Sequence, residues 1–231
     1  MLSLDIIGQR GELTIRAALQ LTPGKITALC GPSGAGKSSL IAMIAGLLKP
    51  EDGYIGTEEE DFFNQEEYLH IAPHRRGLGV VFQDARLLPH LNVARNMTFG
   101  WRRRGKPLPP DAMADLIDAL DINHLMSRKP HQLSGGEARR VAIGRAVAGK
   151  PIALLLDEPF TGLDAERRER VADYLLRIRD EWQLPMLLVS HRAEDVARLS
   201  DRVLTMEKGV VQGANSQTAA IALAQEDDLD L

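Results

Sequence analysis

The tightest constraint on the fold lies where a short apolar run, Ile26 to Cys30, stops at Gly31-Pro32-Ser33-Gly34-Ala35-Gly36-Lys37-Ser38, with Ser39 next. A glycine, four free positions and Gly-Lys-Ser form the pattern of a phosphate loop, whose glycines let the backbone turn successive N–H groups around phosphate oxygens. That loop works only between a strand and a helix, because the helix start adds the positive end of its dipole. The run at 26–30 predicts the strand, and a helix is expected from the loop onward. In such a loop Lys37 reaches the β- and γ-phosphates and Ser38 offers its hydroxyl to magnesium.

The rest of the pattern agrees with an α/β chain. Leu13, Ile15, Ala17, Leu19 and Leu21 alternate over 12–21, the period of a half-buried strand, and 2–7 is expected to pair with it. Apolar runs at 79–82, 152–156, 186–189 and 203–206 read as buried strands of a largely parallel sheet covered on both faces. Met113, Leu116, Ile117 and Leu120 after an expected cap at Asp111, and Val171, Leu175, Ile178 and Trp182 later, have helical spacing. Between Gln83 and a helix starting near Gly135 no strand signal stands out, so an inserted helical lobe is expected there.

At 231 residues and 44% apolar content the chain can bury one sizeable core. No apolar run approaches the roughly 20 residues of a membrane-spanning helix. The start lacks a secretory pattern, and a cytoplasmic location is expected. The single Cys30 reads as a buried thiol, and a net charge of −4 argues against a dedicated nucleic-acid binder. Arg102, Arg103, Arg104 and Lys106 read as a solvated loop, with contact to lipid headgroups or a partner as the alternative.

Two further motifs carry chemistry. Leu154-Leu155-Leu156 ends in Asp157-Glu158. Ligands of open α/β sheets sit beyond the carboxyl ends of strands, so Asp157 would emerge beside the phosphates as a magnesium ligand. Glu158 would then activate or orient the attacking water. The third motif is Leu133-Ser134-Gly135-Gly136-Glu137. Ser134 and Glu137 have the spacing of a capping box, a purely structural reading. The paired glycines favour a second phosphate-binding helix start, and one triphosphate needs only one, so each chain would complete its neighbour's site.

With these motifs in order, the chain resembles the nucleotide-binding subunit of ATP-binding-cassette (ABC) transporters over nearly its whole length. The resemblance implies a P-loop NTPase core with a mostly parallel sheet flanked by helices, an N-terminal antiparallel β subdomain and an inserted helical subdomain. The cassette would cover 1–213, with core at 1–83 and 146–213, a helical subdomain at about 84–145, and a short tail at 214–231. Gly31 to Ser38 match Walker A, Gln83 the Q-loop, Leu133 to Glu137 the signature, Asp157 and Glu158 Walker B, Leu163-Asp164 the D-loop and His191 the switch histidine. By that resemblance Gln83 senses metal and γ-phosphate, His191 contacts the γ-phosphate, and Ser134 and Gly136 bind nucleotide held by the partner chain.

The run Val81-Phe82-Gln83-Asp84-Ala85-Arg86-Leu87-Leu88-Pro89-His90-Leu91 is most similar to ATPases of molybdate importers. That implies ATP and Mg2+ as ligands, a homodimer on the inner face of the membrane, transmembrane permease subunits above it and an external oxyanion-binding protein. Tungstate, sulfate and other anion importers, an exporter, and soluble cassettes acting on nucleic acid or ribosomes remain alternatives. Three departures stand out. Residues 1–53 hold no Phe, Tyr or Trp to stack on a base, so loose base selection is expected. Position 137 is Glu where Gln is common, and with the sequence ending soon after Gly213 a C-terminal oxyanion-sensing domain is not expected.

Overall fold

The computed structural model describes residues 1–100 and 108–213. Among them the strands form one sheet in the order β6-β5-β4-β1-β2-β11-β10-β3-β9-β8-β7. These are β1 Leu2–Arg10, β2 Leu13–Leu21, β3 Ile26–Cys30, β4 Asp52–Thr57, β5 Asp61–Asn64, β6 Leu69–His70, β7 Leu78–Val81, β8 Ala153–Asp157, β9 Met186–Val189, β10 Arg202–Glu207 and β11 Val210–Gly213. One half of the sheet, β10-β3-β9-β8-β7, is parallel, while β1, β2, β4, β5 and β6 make an antiparallel wing. The α-helices among the described residues are α1 Lys37–Ile44, α2 Val93–Met97, α3 Pro110–Ala119, α4 Gly135–Ala148, α5 Ala165–Trp182 and α6 Ala193–Leu199.

The central parallel strands β3, β8 and β9 are buried from end to end because both faces are covered. Their side chains divide with a period of two. Leu154, Leu156, Met186 and Leu188 join the core beneath α4 and α5, whereas Ala153, Leu155, Leu187 and Val189 join the core around α1 and the antiparallel wing. Leu40, Ile41, Met43 and Ile44 fill that second core from α1, and Cys30 is buried beside Ala28 and Val196. Among the described residues no helix is long and apolar enough to cross a membrane.

One expectation needs correction. The helix carrying Leu116 begins at Pro110, and Asp111 does not cap it: the N-cap position is Pro109, with no side-chain cap bond. Proline at the first helical position has its φ pre-set and no N–H to leave unpaired, so the Pro109-Pro110 pair starts the helix before Asp111. Asp111 instead lies in the first turn, where a carboxylate suits the dipole. Strands β4 to β6 complete the expected antiparallel subdomain and carry little local signal: they are short and hold Gly53 and Gly56, β4 pairs with β1 across about fifty residues of sequence, and β5 and β6 add on in turn. Between Gln83 and α4 the described residues hold helices and turns, without a strand. The basic cluster 102–106 and the tail 214–231 lie outside the described residues.

Two devices seat α1. The buried Arg76 guanidinium donates to the carbonyls of Met43 and Ile44 at 3.1 and 2.8 Å and to Ile71 at 2.9 Å, placing a cation where the helix dipole is negative. Burial pushes its pKa down to about 10. At the other end Gly31, with φ 144°, passes so close to β10 that a Cβ would lie 2.1 Å from the Met206 carbonyl oxygen. Only glycine fits there.

Candidate functional site

The loop from Gly31 to Ser38 joins β3 to α1, with Gly31, Gly34 and Gly36 all at positive φ. Pro32, Ser33, Gly34 and Ser38 are exposed, and Ala35 is buried beneath them. Lys37 folds back along the loop and donates to the carbonyls of Gly31 and Pro32, the latter at 3.0 Å. The first turn of α1 therefore presents open backbone N–H groups and a cation on a hinged side chain, the parts of an anion cradle.

Strand β8 delivers the carboxylates to this cradle. Asp157 is its last residue, 3% exposed. Burial raises its pKa, opposed by a hydrogen bond from Ser38 and by the charges of Lys37, Arg139 and Arg86. Glu158 sits one residue on with φ 51°, a left-handed conformation uncommon for a glutamate. Its N–H still donates to the Val189 carbonyl at 3.0 Å, which keeps it on the end of β9. The turn brings its carboxylate to 2.8 Å from Nδ1 of His191, which follows β9. Burial pushes the Glu158 pKa up, and the bond to His191 opposes it. Ser38, Ser39, Gln83 and Asp157 line a cavity of about 500 Å3, together with Arg10, Phe82 and Arg86.

The donors here suit a hard cation. Among the described residues no three His, Cys, Asp or Glu side chains converge on a common point. A hydroxyl, an amide oxygen and one buried carboxylate are instead the partial set magnesium takes when it keeps waters and borrows phosphate oxygens.

Residues 134 to 137 lie elsewhere, around a second cavity of about 350 Å3 lined by Ser134, Gly136, Glu137, Gly162, Asp164 and Arg167 among others. The capping box forms in full. Ser134 Oγ accepts from the Glu137 N–H at 3.3 Å, and Glu137 Oε2 accepts from the Ser134 N–H at 2.7 Å. That backbone bond holds the Glu137 carboxyl below its ordinary pKa, with Arg128 3.6 Å away. The carboxylate is thus engaged by its own helix start, while Ser134 and Gly135 remain exposed. The two glycines differ. A Cβ on Gly135 meets nothing within 4 Å, whereas one on Gly136 would lie 2.5 Å from the Gly162 carbonyl oxygen. Gly136 is therefore required for the packing of α4 on the turn before Asp164. Asp164 caps α5 by accepting from the Arg167 N–H at 2.9 Å and pairs with the Arg167 guanidinium.

Lys37, Ser38, Gln83, Asp157, Glu158 and His191 are thus gathered at one end of the parallel strands, while Ser134 to Glu137 and Asp164 form a separate surface. Sequence reasoning missed Arg139 and Gly162. Arg139 looks like any polar residue of a helix, yet it is buried and donates to the Glu158 carbonyl at 2.6 Å and to that of Gln83. Two adjacent arginines in an otherwise apolar helical stretch were the available signal.

Comparison with known proteins points the same way. The family model described as ABC transporter matches residues 16–161. The chain is 39% identical over 222 residues to a molybdenum import ATP-binding protein, ModC, of Rhodospirillum rubrum, covering 96% of this chain and 60% of that protein. The ModC of Mesorhizobium japonicum is 42% identical over 219 residues, covering 94% and 58%. The chain thus spans about 60% of the length of these curated relatives. A dimeric, post-hydrolysis structure of the ATP-binding cassette MJ0796 with ADP and Pi superposes with a TM-score of 0.76 at 25% identity, covering 94% of this chain and all of that one. The phosphate loop after β3, the carboxylates after β8, the helix start at Ser134 and a family match across most of the chain together place this protein in the ABC transporter family.

Proposed function

We propose that this chain binds ATP with Mg2+ and hydrolyses it as the ATPase subunit of an oxyanion importer, with molybdate as the transported ion. The observation that carries the reading is the junction of β8 with the phosphate loop. A buried Asp157 lines the same cavity as Ser38, and the neighbouring Glu158 pairs with His191 at 2.8 Å, at the mouth of the cradle formed by 31–38. Such a junction suits phosphoryl transfer to water, which depends on positioning and charge more than on covalent chemistry. In this reading Lys37 swings from its loop carbonyls onto the β- and γ-phosphates. Ser38, Gln83 and Asp157 hold Mg2+, which would neutralise charge on the phosphates. Glu158 accepts or orients the proton of the attacking water, and His191 fixes its carboxylate and faces the γ-phosphate. The raised Glu158 pKa suits a proton acceptor.

The second surface supports a twofold partnership. Ser134 and Gly135 are exposed and line no part of the first cavity, so in this reading they close over the nucleotide of a second copy, with Asp164 beside them. ATP would then favour the closed dimer by its greater affinity for that state, and hydrolysis would reopen it. Permease subunits at the inner face of the membrane, fed by an external binding protein, would receive the motion through the lobe after Gln83. Molybdate rests on the relatives' names.

Replacing Lys37 with Ala is expected to lower ATP affinity at least about tenfold by calorimetry, since a charge-assisted phosphate contact is lost. Unchanged affinity would defeat the phosphate-loop reading. Replacing Glu158 with Gln is expected to keep ATP binding and cut turnover on the order of 10²-fold or more. Uptake of labelled molybdate, tungstate and sulfate by the complex co-purified from membranes decides the ion, and preference for another anion would displace molybdate.

A further inference from the structure

Helix α4 does more than present Ser134. Two of its arginines reach into the loop after β7, where Ala85 and Arg86 both hold left-handed backbone, with φ 57° and 44°. Arg145 donates to the carbonyls of Arg86 and Ala85 at 2.7 and 3.1 Å. Arg139, 8% exposed, donates through one guanidinium nitrogen to the Gln83 carbonyl and through the other to the Glu158 carbonyl at 2.6 Å. Glu158 is itself left-handed. Such backbone persists only when its surroundings over-determine it.

Arg139 thus binds both the loop that carries Gln83 and the turn that aims Glu158. Its position five residues after Ser134 puts it on the same rigid helix as the exposed helix start. Asp84, Asp157 and Glu158 surround the guanidinium with negative charge, which offsets the cost of burying it. The Nε is buried without a hydrogen-bond partner, so the side chain is held by its two terminal nitrogens. A planar fork puts a separate nitrogen on each of the two carbonyls in fixed geometry, whereas an ammonium must reach both from a single nitrogen on a flexible stem.

We propose that Arg139 is a positioning residue that locks Gln83 and Glu158 to α4, so that displacement of the Ser134 end of the helix is passed directly to the carboxylate that handles water. The assignment rests on the hydrolytic reading of Glu158, and its test separates the two. Steady-state ATP hydrolysis and nucleotide-free amide hydrogen exchange are measured on the full chain for wild type, Arg139→Gln and Arg139→Lys.

Both variants are expected to lose kcat on the order of tenfold to a hundredfold, as misplacement by about 1 Å can do. Their KM for ATP should stay within roughly threefold, since the lost interaction does not bind substrate. Exchange at residues 83–86 and 158–161 should accelerate at least about tenfold in both. Wild-type kcat in Arg139→Gln, a loss confined to KM, or full rescue by lysine would each overturn the proposal. An inactive wild type would defeat the hydrolytic reading, and unchanged exchange in those two segments would then independently defeat the lock.

Discussion

His191 and Glu158 are paired by backbone geometry at a single residue. The imidazole is about half exposed while the glutamate beside it is nearly buried, and the left-handed turn at Glu158 brings the two to 2.8 Å. Removing the ring in His191→Ala leaves the carboxylate without its orienting partner. Turnover is expected to fall on the order of 10²-fold with ATP affinity within a few-fold of wild type. Single-turnover hydrolysis beside equilibrium binding checks this, and an equal loss in both would make His191 a binding residue only. The base of the nucleotide presents a different situation. No aromatic side chain precedes Tyr54, and the aromatic ring lining the cavity beside Ser38, Phe82, is covered by the Arg86 guanidinium at 4.0 Å. A site without a base-specific slot discriminates weakly, so kcat/KM for GTP is expected within about tenfold of that for ATP. A preference far beyond that would reveal a base contact made only in the closed state.

At the scale of elements, the start of α4 combines two requirements. The capping box fixes its first turn, and Gly136 lets that turn lie against Gly162. Glutamine can replace glutamate in the box, so Glu137→Gln isolates the charge at the helix start. The Glu137 carboxyl is held below its ordinary pKa chiefly by the Ser134 N–H, so its charge adds stability above the ordinary carboxylate pKa of about 4.3. That contribution disappears as pH falls through the lower folded value. Wild type is therefore expected to exceed Glu137→Gln by about 0.3–1 kcal/mol near pH 7, the two converging toward pH 3 in denaturant unfolding. A pH-independent difference would contradict the assignment. Gly136→Ala tests the other half. Its Cβ would press on backbone, so a loss of about 1–3 kcal/mol is expected from thermal or urea melts. Wild-type stability would mean that the turn at Gly162 yields freely.

For the molecule as a whole, the separation of the two cavities makes a prediction that neither cavity makes alone. If each nucleotide lies between the 31–38 loop of one copy and the 134–136 start of another, a Lys37→Ala chain and a Ser134→Arg chain are each inactive but complement when mixed. Random pairing gives half heterodimers with one intact composite site each, so roughly a quarter of wild-type turnover should return. Mixtures that stay as inactive as their components would rule out sharing across a twofold axis. The local parts of this design were readable in the sequence. The phosphate loop, the carboxylates at the end of an apolar run, the capping box and the buried strands are patterns of neighbours, fixed by backbone geometry over a few residues. Other features arise from contacts between distant segments. The β4 to β6 wing exists because β1 offers an edge, Gly136 matters because Gly162 lies opposite, and Arg139 meets the Gln83 and Glu158 carbonyls only because β7 and β8 end side by side. Local sequence thus set which chemical groups the chain carries and the short elements that hold them. Tertiary packing alone decided which carbonyl a buried guanidinium meets and which glycine tolerates no methyl group, because those contacts join segments that no local pattern relates.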